Sequence, residues 1–284
     1  MYLDIGASFL KYKIGNSYHE FAFDGNVDQI RKVIEFENSP EIYAAVQGNA
    51  FVDPKGNIHN WGYQPTPADI PIDTWLFQLP NMKFVGLDYQ MAVHGANLQA
   101  GEVVVNMGTG GQVTQGITHR EIPNLEELII QNKIYKTVRF IPCGKILSQI
   151  QTTLKFTGMW QYLSQLHWQE LPNTHGMICN PAWHPSQKGY PGGLYGISVD
   201  NFTPEMIVNA TITGILRKFS EAIALFDNLG LFTHPPTKYK LAGGIAEKLP
   251  LVKEYFEQYQ VPVEMIPHAT FVGLERIQKT LEEK

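Results

Sequence analysis

Two cysteines in 284 residues, Cys143 and Cys179, are too few and too far apart for a disulfide framework or a Cys-x-x-Cys zinc site. None of the nine histidines falls in an H-E-x-x-H pattern, so a histidine-bound metal has no support. Basic runs are missing and the formal net charge is only -5, which makes nucleic acid a poor partner. The sequence contains neither an apolar run long enough to span a bilayer nor a charged n-region leading into an apolar stretch. The expectation is no membrane contact and a cytoplasmic location. A hydrophobic fraction of 44% excludes disorder and suffices for one large core or two modest ones.

What the chain does have is a glycine turn used repeatedly. Tyr2-Leu3-Asp4-Ile5-Gly6-Ala7-Ser8 runs from an apolar stretch into a small-residue turn and on into Phe9 to Ile14. Val103 to Asn106 leads into Met107-Gly108-Thr109-Gly110-Gly111 and on into Gln112 to Ile117. Both read as strand, tight turn, strand. Glycine lets backbone N–H groups approach a ligand closely, and clustered N–H groups favour anions, so two such hairpins suit the phosphates of a nucleotide. A third turn, Leu241-Ala242-Gly243-Gly244, stands before a predicted helix and suits the nucleoside end.

The patterning predicts mixed α/β structure. Phe9 to Ile14 and Tyr18 to Phe23 form a hairpin about Gly15-Asn16. Helical spacing covers Val27 to Phe36 and Tyr89 to Leu98, with short strands at Ile42 to Val46 and Lys83 to Val85. The four prolines of residues 65–80 predict irregular chain, and residues 172–196 a long loop. Thr203-Pro204-Glu205 opens a helix to Asn228. Strands at Tyr239 to Leu241 and Val263 to Ile266 alternate with helices at Glu247 to Tyr259 and from His268 onward. The predicted boundary lies at residues 99–102, dividing a domain of residues 1–100 from one of 101–284.

These motifs, in this order, resemble the FGGY carbohydrate kinases, the sedoheptulokinase-like members most. Asp4-Ile5-Gly6-Ala7-Ser8 with Lys11 is similar to the family's first phosphate motif, and Asn106 to Val113 to its second. Gly86-Leu87-Asp88-Tyr89 resembles the segment carrying its catalytic aspartate. Val46-Gln47-Gly48-Asn49 with the turn at Asp53 to Gly56, Arg139 to Gly144, the helix after Asn201, and Ala242-Gly243-Gly244 follow its remaining motifs. The resemblance implies an actin-like ATPase fold: two ribonuclease-H-like domains, a reduced sugar-binding and catalytic first domain and a nucleotide-binding second, with ATP in the cleft. It implies ATP-dependent phosphoryl transfer to a hydroxyl of a small sugar, a ketose such as sedoheptulose among the candidates, with ATP and Mg²⁺ as cofactors. The implied partner is that sugar, and a homodimer is left open.

The chain departs from the family as well. It is much shorter, Trp61 to Pro65 lacks the Asp and Arg of a W-x-D-x-R segment, and Pro181 to Pro185 lacks a further arginine. These losses favour a second reading, a nucleotide- or sugar-binding sensor without catalysis. A hydrolytic or activase-type ATPase is a third.

Each site residue has two readings. Asp88 is a general base or a helix N-cap. Asp4 holds Mg²⁺ or ends a strand. Lys11 meets phosphate or solvent. Gly6, Ser8, Gly108, Thr109, Gly110 and Gly111 cradle phosphate, the glycines being poor ordinary strand residues. Gly243 and Gly244 meet the nucleoside or merely turn the chain. Gln47, Asn49, Trp61 and Gln90 are candidate sugar contacts, Trp61 equally a core residue.

Overall fold

The computed structural model describes the chain except residues 7, 24–26, 48–50, 56–57, 60–66, 69, 72–76, 80, 117–124, 132, 172, 183–191, 231–234 and 284. It divides into two compact units, Met1–Asn97 with His268–Lys284, and Leu98–Pro267. The predicted division at residue 100 and this one differ in the last helix, which packs with the first unit.

The first unit opens with β1 (Tyr2–Ile5), β2 (Phe9–Ile14) and β3 (Ser17–Ala22), followed by α1 (Val27–Glu37) and β4 (Ile42–Val46). Three two-residue strands, β5 (Phe51–Val52), β6 (Ile58–His59) and β7 (Ile70–Pro71), make a small separate sheet. Then come β8 (Phe77–Leu79), β9 (Met82–Leu87) and α2 (Asp88–Ala96). The main sheet has the order β3-β2-β1-β4-β9-β8, with β1, β4 and β9 mutually parallel and the outer pairings antiparallel. Gly15 takes a φ of 55°, as the two-residue turn into β3 requires.

Central β4 is a continuous apolar run because both its faces are covered. On one face Leu3, Ile5, Leu10, Ala44, Val46 and Phe84 pack with Ile30 and Val33 of α1. On the other, Tyr43, Ala45 and Val85 meet Met91 of α2 and Phe271, Leu274 and Ile277 of the terminal helix, Ala269–Glu282. That helix and α2 approach at glycines. A Cβ on Gly95 would lie 2.0 Å from the Ala269 carbonyl oxygen, and one on Gly273 2.1 Å from that of Met91.

The second unit holds β10 (Glu102–Met107), β11 (Gly110–Gln115), β12 (Glu126–Ile130), β13 (Lys133–Pro142), α3 (Gly144–Leu154) and α4 (Met159–Ser164). A hairpin of β14 (Ile178–Asn180) and β15 (Gly193–Tyr195) precedes α5 (Pro204–Asn228). The unit closes with β16 (Lys238–Ala242), α6 (Gly244–Lys248), α7 (Pro250–Glu257) and β17 (Val263–Met265). Its sheet runs β12-β13-β11-β10-β16-β17. β10 pairs antiparallel with β11, which pairs antiparallel with β13, while β16 and β17 add in parallel. β10, β11, β13, β16 and β17 therefore repeat the order and directions of β1, β2, β3, β4 and β9. The β1–β2 and β10–β11 connections hold the same place in the two orders.

Several expectations need correction. The helix expected over Glu247 to Tyr259 is two helices, because Pro250 has no N–H to continue the ladder past Leu249. The long loop of residues 172–196 contains β14 and β15, and the proline-rich segment of residues 65–80 contains β7 and β8. Helix α5 begins as expected, with the Thr203 side chain accepting from the Met206 N–H at 3.3 Å.

Candidate active site

Asp4 and Asp88 come to the same end of the first unit's sheet through strand register. Asp4 is opposite Ala45 of β4, and Ala45 is opposite Gly86 of β9, two residues before Asp88. Gln47 follows β4 at the same end, its N–H donating to the Ile5 carbonyl at 2.8 Å. The carboxyl ends of parallel strands are where open α/β sheets bind ligands. β4 lies between the two aspartate-bearing strands, with the small Ala45 opposite Asp4.

Asp88 is the first residue of α2 and not its cap. The cap is Leu87, whose N–H donates to Gln90 Oε1 at 2.8 Å, while the Tyr89 N–H donates to Asp88 Oδ1 at 2.7 Å. Gln90, a candidate sugar contact, thus has its carbonyl engaged at the helix start. Asp4 is 5% exposed, and its Oδ1 has no hydrogen-bond partner among the described residues. Its Oδ2 is 3.9 Å from Lys11 Nζ, which lies 3.7 Å from Glu20 Oε2. Burial raises the Asp4 proton affinity, Lys11 lowers it and Glu20 raises it again. Burial, and then the charge of Asp4, push the Asp88 carboxyl up to about 7, against the Tyr89 N–H and Lys11. A partly buried carboxyl and a buried one that resist joint ionisation suit acid–base chemistry near neutral pH. Glu20 was not anticipated, although the Gly15-Asn16 turn fixes it opposite Lys11.

This carries a signed stability prediction. Below about pH 4 Asp88 is neutral folded and unfolded, and contributes nothing. As pH rises the unfolded chain loses the proton first, so stability falls until the folded pKa of about 7 is passed. Asn cannot ionise. Asp88→Asn is expected to match wild type near pH 4 and to exceed it above pH 8 by on the order of 2 kcal/mol, read from urea melts without metal.

The glycine turns are tightly built. Gly6 N–H donates to the Phe9 carbonyl at 3.1 Å, and Ser8 accepts from the Phe23 N–H at 2.9 Å. In the second unit the Gly108 and Thr109 carbonyls accept the Gly144 and Lys145 N–H groups at 3.0 and 2.8 Å, which ties the turn to the start of α3. Gly110 and Gly111 pair with Pro142 and Ile141, and a Cβ on Gly111 would sit 2.3 Å from Phe219. Gly243 has a φ of 90°, and its Cβ would lie 2.6 Å from both Asn106 Oδ1 and the Met107 carbonyl oxygen. Gly244 faces open space. Asn49 and Trp61 lie outside the described residues.

The residues suit Mg²⁺ with a phosphate-bearing ligand. Among the described residues no cluster of three or more His, Cys, Asp or Glu could hold a metal alone. Mg²⁺ characteristically takes one or two carboxylates and completes its shell with water and substrate phosphate, and the unpartnered Asp4 Oδ1 is such an oxygen. Among the described residues no helix is long and apolar enough to cross a membrane.

Neither a protein-family model nor a curated protein matches this chain in sequence. Solved structures do match in fold. A ligand-bound xylulose kinase from Lactobacillus acidophilus aligns over 99% of this chain and 89% of its own, with a TM-score of 0.65 at 12% identity. Plasmodium falciparum glycerol kinase with ADP aligns over 69% of this chain and 42% of its own, at a TM-score of 0.53 and 19% identity. Xylulose kinase from Rhodospirillum rubrum covers 70% of this chain and 42% of its own, at 0.52 and 16%. The match thus spans about two fifths of the length of the last two. The chain has the actin-like ATPase fold of the FGGY carbohydrate kinases.

Proposed function

We propose that the protein transfers the γ-phosphoryl group of ATP to a hydroxyl of a small sugar, with Asp88 as general base. The observation that carries this reading is a partly buried carboxyl raised to about 7 beside the buried carboxyl of Asp4, at the carboxyl end of parallel strands. The sugar oxygen bonds to the γ-phosphorus as the bond from phosphorus to the β,γ-bridging oxygen breaks, and the hydroxyl proton passes to Asp88. ADP and a sugar monophosphate leave. Mg²⁺, when bound, neutralises charge on the phosphates, and Asp4 is the residue that would hold it. Gly6, Ser8 and Lys11, with Gly108 to Gly111, serve the phosphates, and Gly243 and Gly244 the nucleoside. Gln47, Asn49, Trp61 and Gln90 are the sugar-side candidates.

Similarity in fold to proteins named for xylulose, glycerol and gluconate supports a small sugar or polyol as acceptor, and a ketose such as sedoheptulose fits the sequence resemblance. The test is a coupled ADP-release assay over ketoses, aldoses, polyols and aldonates, with a no-sugar control. ADP release that depends on one sugar class is expected. Thermal melts with Mg-ADP are expected to gain about 2.7 kcal/mol at a hundred times Kd. Nucleotide binding with no sugar-dependent release would overturn transfer in favour of a sensor, for which the missing Asp and Arg after Trp61 speak. No nucleotide binding would overturn both.

A further inference from the structure

β3 is an end strand of the first unit's sheet, and all six of its residues are exposed. Its side chains are nevertheless held. Tyr18 stacks on His268 at 4.0 Å with Lys13 over its ring, and His19 stacks on Tyr12 at 4.5 Å. Glu20 lies 3.7 Å from Lys11. An edge with pre-set side chains loses little entropy on pairing. The opposite end strand, β8, has only three residues.

The register decides which groups point outward. Ile14 and Ser17 flank a two-residue turn and are opposite one another, so they form a hydrogen-bonded pair, and bonding alternates from there. The Phe23 N–H, donating to Ser8, continues the same alternation. Ser17, His19 and Phe21 therefore bond toward β2, and the backbone groups of Tyr18, Glu20 and Ala22 point away from the sheet.

We propose that β3 pairs antiparallel with β3 of a second copy about a two-fold axis through His19. Residues opposite one another must share a direction, which leaves two central registers. One sets Glu20 against Glu20 of the second copy, and like charges directly opposite are destabilising. The other sets His19 against His19, a non-hydrogen-bonded pair, and Tyr18 against Glu20. On one face this register lines up Lys11, Glu20, then the second copy's Tyr18 and Lys13, so that no two like charges adjoin. On the other it joins the two stacked Tyr12–His19 pairs into one aromatic row. Each copy uses its edge once, so the assembly closes as a dimer.

Disulfide trapping tests both partner and register. Cys143 and Cys179 are buried, and burial raises both thiols, Cys143 to about 12, so an introduced surface thiol is the reactive one. His19→Cys, an exposed site, is expected to oxidise to a covalent dimer at micromolar protein, while Tyr18→Cys and Glu20→Cys stay monomeric on denaturing gels. Wild type is expected to show a mass approaching twice 32.1 kDa by light scattering at about 100 µM. A monomer mass at that concentration overturns the proposal. So does a dimer mass without the His19→Cys cross-link, or cross-linking of Glu20→Cys in its place.

Discussion

Asp88→Asn is expected to lower kcat for sugar phosphorylation by about a hundred- to ten-thousand-fold, the usual contribution of a positioned acid–base group. The amide keeps the shape and can still accept the Tyr89 N–H through its oxygen, so α2 should start unchanged. It cannot take the hydroxyl proton. ATP affinity is expected to stay within about twofold, because this carboxylate, already disfavoured by Asp4, offers nothing attractive to an anionic ligand. Asp4→Asn is expected to behave differently, weakening Mg-nucleotide binding and raising the nucleotide KM. Steady-state kinetics with calorimetry of ADP binding separates the two. An Asp88→Asn enzyme that keeps most of its kcat would remove Asp88 from the role of base.

Gly95→Ala and Gly273→Ala are each expected to cost at least about 3 kcal/mol, against the gain of roughly 1 kcal/mol that alanine brings inside a helix. The sign follows from the 2.0 and 2.1 Å that separate the added Cβ from backbone oxygens, which no rotamer change relieves. The two helices would have to move apart, opening the layer of Met91, Phe271 and Leu274 beneath Tyr43 and Val85. Because α2 begins at Asp88, the displacement reaches the candidate base, and kcat is expected to fall with stability. Urea unfolding reads the first effect. A gain in stability for either variant would mean that the two helices are not packed at these glycines.

Much of this was legible in the sequence because the governing signals are local. Gly15-Asn16 fixed a hairpin and, through it, the Lys11–Glu20 pairing. Thr203-Pro204 fixed the start of α5. The glycine motifs reported turns that the structure explains by close approach, Gly243 against Asn106 and Met107, Gly111 against Phe219. What escaped is non-local. Nothing near residue 268 says that the last helix packs with the first unit, since that depends on Gly273 meeting Met91 across the intervening chain. The coupling of Asp4 to Asp88 depends on a parallel register set through β4. The role of Gln90 in starting α2 was masked by its polarity, which suits a sugar equally well.

The central claim, phosphoryl transfer from ATP to a sugar hydroxyl, is tested most directly by following the phosphate. The protein is incubated with Mg-ATP labelled in its γ-phosphate and with each sugar of the panel, and the products are separated by mass and label. The account predicts labelled sugar monophosphate from at least one small sugar, formed one for one with ADP and abolished in Asp88→Asn. Label that stays in ATP with every sugar, or appears only as inorganic phosphate whether or not sugar is present, would contradict it.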